Sequence, residues 1–267
     1  MAALKRREQL NGIVNRIKLV GIELEGGWDR NVPGEEVIRD GSVEFHPPQF
    51  PPTPRDPVTG NRRPLQPDQQ ALIDNWRQPR AAIGEIVSKP LPVGQVAAWV
   101  RKCYPEHVNK TCGLHVHMSF EHKLNYSRLM TPDFTPYMVN AIREFGHKES
   151  LPDDHALWPR VNEPNHPHCA HIYLGDKQAI VGVKDYRSRG KEYSRYTFLN
   201  YCEKFHKTIE CRGLCMFTDA EQAVRAIMCV LDSTNAFLSK IRRVERATSV
   251  SVSAKPMVYE EFGTIVR

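Results

Sequence analysis

From Lys18 the chain alternates, Lys-Leu-Val-Gly-Ile-Glu-Leu-Glu, up to Gly26-Gly27. A two-residue period predicts a strand, and the paired glycines predict a turn that ends it. Asp40-Gly41 is a second turn signal, leading into another alternating run from Ser42 to His46. Three further strands are predicted over Ile83 to Ser88, Leu114 to Phe120 and Lys207 to Arg212, while Tyr196 to Cys202 fits either period. Helical spacing predicts a short basic helix over residues 3–16 and a helix over 92–104 with Val96, Val100 and Trp99 inward. It predicts another helix over 132–146. A last one runs to about Arg243, with Ala223, Ile227, Val230, Leu231 and Leu238 on its apolar side. Thr218 with Glu221 three residues on reads as the capping box that opens it. Residues 47–80 are proline-rich and read as an inserted surface loop, with at most a helical turn or two near Asp68 to Trp76; residues 147–176 form a His- and Pro-rich loop. Strands without a regular βαβ alternation point to an α+β fold on a mainly antiparallel sheet, in one domain over residues 1–267 and without internal repeats.

Composition narrows the function classes. Of 267 residues, 40% are hydrophobic and 25% charged, which is globular usage and excludes global disorder. The net charge of +6 suits an anionic ligand such as a nucleotide, but the basic residues are spread along the chain, so no nucleic-acid partner is expected. No apolar run approaches the roughly 20 residues that cross a bilayer, and Met1 to Arg7 lacks the apolar stretch of a signal peptide. Seven cysteines, an odd number, read as free thiols in a reducing compartment, and the expected location is the cytoplasm. No Gly-x-x-x-x-Gly-Lys, Gly-x-Gly-x-x-Gly or Gly-x-Ser-x-Gly occurs, so any nucleotide must be held without a phosphate-binding glycine loop.

Candidate chemistry emerges when strand parity is applied to the charged residues. Residues i and i+2 of a strand share a face about 6.5–7 Å apart. Glu23 and Glu25 then share a face, as do Ser42, Glu44 and His46, the pair His115 and His117, and the trio Thr208, Glu210 and Arg212. Glu85 stands opposite in direction to Ile86. Each segment places acid or imidazole on one side and aliphatic residues on the other. A half-exposed sheet explains any one of them. Five together, with almost only Glu and His, are costly: carboxylates 7 Å apart repel by roughly 2–3 kcal/mol at an effective dielectric near 20. A cation between them removes that cost, and oxygen-rich ligand sets with an added imidazole suit Mg²⁺ or Mn²⁺. His115-Val-His117 also fits a zinc hydrolase, with Cys112 close by and ligands from His166, His168, Cys169 or His171. Arg187, Arg189 and Arg195 lie close together in sequence, and Arg212 shares the carboxylate face; guanidinium forks match phosphate and carboxylate oxygens.

Six short blocks, Gly21-Ile-Glu-Leu-Glu25, Asp40-Gly-Ser42, Glu85-Ile-Val-Ser88, Cys112-Gly-Leu-His-Val-His117, Arg195-Tyr-x-x-Leu-Asn200 and Thr208-Ile-Glu-Cys-Arg212, occur in the order seen in the amidoligase family. The chain thus resembles carboxylate–amine ligases related to glutamate–cysteine ligase and glutamine synthetase, over about residues 20 to 220. The resemblance implies a glutamine-synthetase-like curved antiparallel sheet with helices behind it. It also implies an ATP-dependent reaction in which a carboxylate is phosphorylated and an amine displaces phosphate to leave an amide. Carried over residue by residue, it makes Glu23, Glu25, Glu85 and Glu210 ligands of Mg²⁺ or Mn²⁺. One of His115 and His117 faces a metal or a nucleotide phosphate, Arg195 and Arg212 contact phosphate, and Asn200 touches nucleotide or substrate. Asp40 or Glu44 would take the proton of the incoming amine. The partners expected are a carboxylate substrate and an amine acceptor, small molecule or polypeptide. Residues 47–80 are longer than the family leads one to expect, Lys89 stands where proline or an aliphatic residue is usual, and Cys211 replaces phenylalanine. Three rivals remain: a zinc-dependent amidohydrolase, a metal-dependent, guanidino-kinase-like phosphotransferase on the same scaffold, and a catalytically inactive binding or scaffold protein, against which the intact charged set in all the blocks counts.

Overall fold

The computed structural model describes residues 17–46, 52–74, 79–80, 82–121, 124–171, 196–202 and 207–253. The expected helix over 3–16, the phosphate-binding candidate Arg195, and Arg187 and Arg189 lie outside the described residues.

Strands β1 (Ile17–Trp28), β2 (Ala82–Val87), β3 (Gly113–Phe120), β4 (Leu199–Tyr201) and β5 (Ile209–Cys215) form one sheet in the order β2-β1-β3-β5-β4. Every neighbouring pair is antiparallel. The helices are α1 (Pro67–Asp74), α2 (Val93–Cys103), α3 (Leu124–Leu129), α4 (Phe134–Lys148), α5 (Leu157–Asn162) and α6 (Ala220–Ser253). The fold is therefore α+β on an antiparallel sheet, as the strand pattern predicts. Ile22, Leu24, Leu114, Val116, Ile209 and Cys211 are fully buried on one sheet face, and α6 runs past α4, α2, α3 and β3 to close the core. Ala223, Ile227, Val230, Leu231 and Leu238 of α6 are all buried, as are Val96, Trp99 and Val100 of α2. Each large aliphatic side chain so buried stabilises the fold by roughly 1.5–3 kcal/mol.

The structure corrects four sequence expectations. β1 does not stop at Gly26-Gly27 but runs through them to Trp28, pairing with Gly84, Ile83 and Ala82. A Cβ on Gly26 would lie 2.6 Å from the Pro105 side chain and one on Gly27 2.3 Å from that of Pro79, so these glycines admit close neighbours and make no turn. Residues 42–46 form no strand. The Asp40 carboxylate accepts hydrogen bonds from Ser42 N and Oγ at 2.8 and 2.9 Å, and this local turn competes with pairing. Glu44 consequently lies in a loop, more than half exposed and bonded to His46 at 3.1 Å. The N-cap of α6 is Asp219, whose carboxylate accepts from Gln222 N at 2.9 Å, while Glu221 pairs outward with Arg101. Finally, the 147–176 loop contains α5, and α3 is a further helix that the periodicity does not show. The one helical element expected inside residues 47–80 is present as α1.

The path of residues 29–46 shapes the polar end of the sheet. Ile38 forms an antiparallel bridge with Glu85 at the outer edge of β2. It can do so because residue 84 is glycine: a Cβ there would sit 2.0 Å from Ile38 O. That bridge delivers Asp40 to the end of β1 and β2.

Candidate metal site on the polar sheet face

The second face of the sheet is polar yet mostly shielded from water. Glu25, His115, Glu210, Arg212 and Asn200 are each less than a tenth exposed, so a merely solvated face does not explain them. Strand register brings them together. Glu23 lies opposite His115, His117 opposite Glu210, Glu210 opposite Asn200, and Glu25 opposite Glu85. Directly opposed residues of antiparallel strands have Cβ atoms about 4.5–5.5 Å apart, within reach of each other's side chains.

Two groups of potential ligand atoms result: Glu23, His117 and Glu210, and Glu25, Asp40 and Glu85, each with its atoms within 4.8 Å of one another. In the first, Glu23 is bonded by His115 Nδ1 at 2.8 Å and His117 Nε2 at 2.9 Å. Burial opposes its ionisation, but those two hydrogen bonds and the imidazole charges outweigh burial and hold its pKa far below the usual carboxylate range. Burial likewise favours the neutral acid at Glu210, and the charges of Arg212, His117 and His115 overcome it and lower the pKa. Asn200 Nδ2 donates to Glu210 Oε2 at 2.9 Å, and Arg212 Nη1 donates to the other oxygen. His117 is pulled in the opposite sense: burial would lower its pKa, and the Glu23 hydrogen bond with the Glu210 and Glu23 charges raises it. Thr208 Oγ1 lies 3.3 Å from His117 Nδ1 and fixes the ring from behind. Burial opposes the Arg212 charge, which the Glu210 and Glu23 carboxylates sustain, and its Nε is buried with no hydrogen-bond partner among the described residues.

The second group is less fully compensated. Glu25 Oε2 accepts from Gly113 N at 2.5 Å and Oε1 is 3.6 Å from His115 Nε2. Glu85 has burial against it, and then the charges of Glu23, Asp40 and Glu25; together they push its pKa up to about 7. Like charges opposed across a strand pair are destabilising. A divalent cation would remove that repulsion, and hard carboxylate oxygens with one imidazole form a ligand set that fits Mg²⁺ or Mn²⁺.

Of the residues picked from sequence, Glu23, Glu25, Glu85, Glu210, His115, His117, Arg212, Asn200 and Asp40 converge on this face. Asp40 joins as a member of the second carboxylate group, and Asn200 is engaged with Glu210. Glu44 does not converge, because the Asp40 turn holds it in an exposed loop. The loop histidines are occupied elsewhere: His171 Nε2 bonds Arg160 O at 2.7 Å and His166 Nδ1 lies 3.3 Å from Cys169 Sγ. Among the described residues they join neither His115 nor His117 in a ligand group. All seven cysteines are free. Among the described residues no helix is long and apolar enough to cross a membrane. The sequence signal missed was small residues: Gly21, Ser88, Ser119 and Thr208 border a cavity beside Glu23 and His117, and small residues carry no periodic signature.

Comparison with protein-family models, curated proteins and solved structures gives no match to this chain.

Proposed function

We propose that this protein is an ATP-dependent carboxylate–amine ligase that uses Mg²⁺ or Mn²⁺, on a curved, glutamine-synthetase-like version of its antiparallel sheet. The observation that carries the reading is the pair of adjacent groups of potential ligands at the polar sheet face, each with one buried and two half-buried members, beside the buried His115 and a buried guanidinium. The six ordered sequence blocks support it, since each of them supplies at least one residue that converges there. Phosphoryl transfer needs positioning and neutralisation of charge more than covalent help from the protein. Divalent cations held by these carboxylates would supply that neutralisation.

The chain's own groups would then divide the work. Glu23, His117 and Glu210 hold one cation, with Asn200 and Arg212 fixing Glu210 and Thr208 fixing His117. Glu25, Asp40 and Glu85 hold a second. Arg212 offers its unengaged Nε to an oxygen of the transferred phosphoryl group, where a fixed donor is most effective in a water-poor setting. Attack of the substrate carboxylate on the γ-phosphorus of ATP gives an acyl phosphate and ADP. The amine nitrogen then forms the amide bond as phosphate leaves, and its proton goes to a carboxylate of the second group.

Interception of the acyl phosphate tests the class of reaction. With ATP, Mg²⁺ and hydroxylamine, screened over amino acids and other carboxylates, the enzyme should yield a hydroxamate and ADP in equal amounts. Arg212→Lys keeps the charge but loses the planar fork, so it should lower kcat and change ATP affinity little. Hydroxamate formed without ATP would indicate a hydrolase, and phosphorylation of guanidino compounds without hydroxamate would indicate a kinase.

A further inference from the structure

Along the polar sheet face the side chains shrink abruptly one step past Glu23 and His117. By strand parity the face continues with Gly21 and Leu19 on β1, Ser119 on β3 and Val87 on β2. With Thr208, Pro90 and Lys207 these border a cavity of about 400 Å³ that reaches Glu23 and His117. Gly21 pairs with His117 across the strands, and a Cβ on it would come within 3.2 Å of the His117 Cβ. The missing side chain leaves this floor open. A cavity of this size accepts a substantial part of a small organic ligand.

Lys207 stands on the exposed rim of that cavity, and its backbone is unusual. It has φ 53°, and the other non-glycine residue described with positive φ is Ser150. Ser150 ends α4, with its N–H bonded to His147 O, the ordinary place for a left-handed residue. Lys207 precedes β5, and the buried Tyr126 hydroxyl donates to its carbonyl and holds the conformation in place. Residues kept in such conformations cluster at functional sites. The Lys207 ammonium is exposed and has no carboxylate partner among the described residues, and the next residue, Thr208, touches His117.

We propose that Lys207 binds the phosphate chain of the nucleotide, presenting its ammonium to oxygens at the Glu23–His117–Glu210 end of the site. The inference rests on the ligase reading. An ammonium is a compact point charge with three donors, suited to non-bridging phosphate oxygens. On a face crowded with carboxylates, it also gives an incoming polyanion a first cationic contact.

The test compares wild type, Lys207→Gly and Lys207→Arg by titration calorimetry with MgATP and with uncharged adenosine, alongside thermal melting. Glycine adopts φ 53° freely and keeps the carbonyl for Tyr126, so Lys207→Gly should melt no lower than wild type. It should bind MgATP about 10-fold more weakly, the loss expected for one hydrogen bond to a charged group. Its affinity should fall less steeply with salt, and its adenosine binding should be unchanged. Lys207→Arg should stay close to wild type. MgATP binding by Lys207→Gly at wild-type strength overturns the role of Lys207 and leaves the ligase reading standing. A lower melting temperature, or an equal loss of adenosine binding, overturns it in favour of a structural role. Failure of wild type itself to bind MgATP removes the ligase reading, and this inference with it.

Discussion

Replacing Glu85 with glutamine should stabilise the metal-free protein and at the same time deprive it of most of its response to divalent cations. The Glu25, Asp40 and Glu85 oxygens lie within 4.8 Å of one another, a separation at which each charged pair repels by about 3.5 kcal/mol at an effective dielectric of 20 and about 1 kcal/mol in water. The displacement of the Glu85 pKa from 4.5 to about 7 gives a consistent upper bound of about 3.4 kcal/mol at 1.36 kcal/mol per unit. Glu85 is only half-buried, so solvent screening brings the expected gain to roughly 1–2 kcal/mol. The sign follows from linkage. A folded pKa raised above the unfolded value means the folded state holds more protons between pH 4.5 and 7, so the Glu85 contribution to stability is full at low pH and is lost as pH rises through about 7. His155, His166, His168 and His171, all lowered by burial, act in the opposite direction. The diagnostic quantity is therefore the difference between Glu85→Gln and wild type. Melting curves in chelator should show no difference near pH 4.5 and, above pH 7, a mutant advantage of some 2–6 °C for a domain of this size. Saturating Mg²⁺ or Mn²⁺ should raise the wild-type melting temperature and move the mutant far less. A difference that does not change with pH, or equal stabilisation of both proteins by metal, would refute the electrostatic argument.

Asn200→Ala removes the donor that orients Glu210 and should weaken Mn²⁺ binding about 10- to 100-fold, the usual cost of losing an outer hydrogen bond to a ligand; calorimetry at pH 8 measures it, and an unchanged affinity would place Glu210 outside the metal's coordination. A thiol-reactive dye should titrate seven cysteines after unfolding, while in the native protein only Cys202 and Cys229, the two that are not buried, should react, and slowly, because desolvation raises both thiols, Cys202 to about 12. Cys112→Ser and Cys211→Ser should keep full activity in the hydroxamate assay, since burial raises those thiols to about 11 and about 12 and neither is a nucleophile in an acyl-phosphate route.

How much of the fold and site is legible in the sequence depends on where the polar face meets water. β1, β3 and the start of β5 alternate cleanly because Glu, His and Arg occupy one side and the core demands aliphatic residues on the other. Past Arg212 the alternation disappears, since Gly213, Leu214 and Cys215 are buried without a polar partner face, and the pattern ends before the strand does. Ser42 to His46 shows the reverse error: period two is present, but the Asp40 turn and the prior claim of Ile38 on the β2 edge leave those residues no pairing partner. α3 spans six residues, too few to display a helical period. Asp40 reaches the second carboxylate group only through the Gly84–Ile38 contact, a relation between distant residues that no local pattern encodes. Asp219 takes the cap from its neighbour Thr218, a one-residue ambiguity inherent in reading caps from composition.

The strand order bears on how the molecule assembles. Glu23 belongs to the first strand of the sheet and Glu210 to the last one along the chain, although only β3 separates them in space. A cation held by both would tie the two ends of the fold together and would stabilise only chains in which β5 has already docked, by the mass-action relation between ligand and folded state. An emerging polypeptide that lacks β5 has neither the complete ligand group beside Glu23 nor the Asn200–Glu210 clasp. Filling of the Glu23–His117–Glu210 group would thus be the final event in maturation, and a protein cleaved ahead of β5 could complete that group only by recapturing the missing strand.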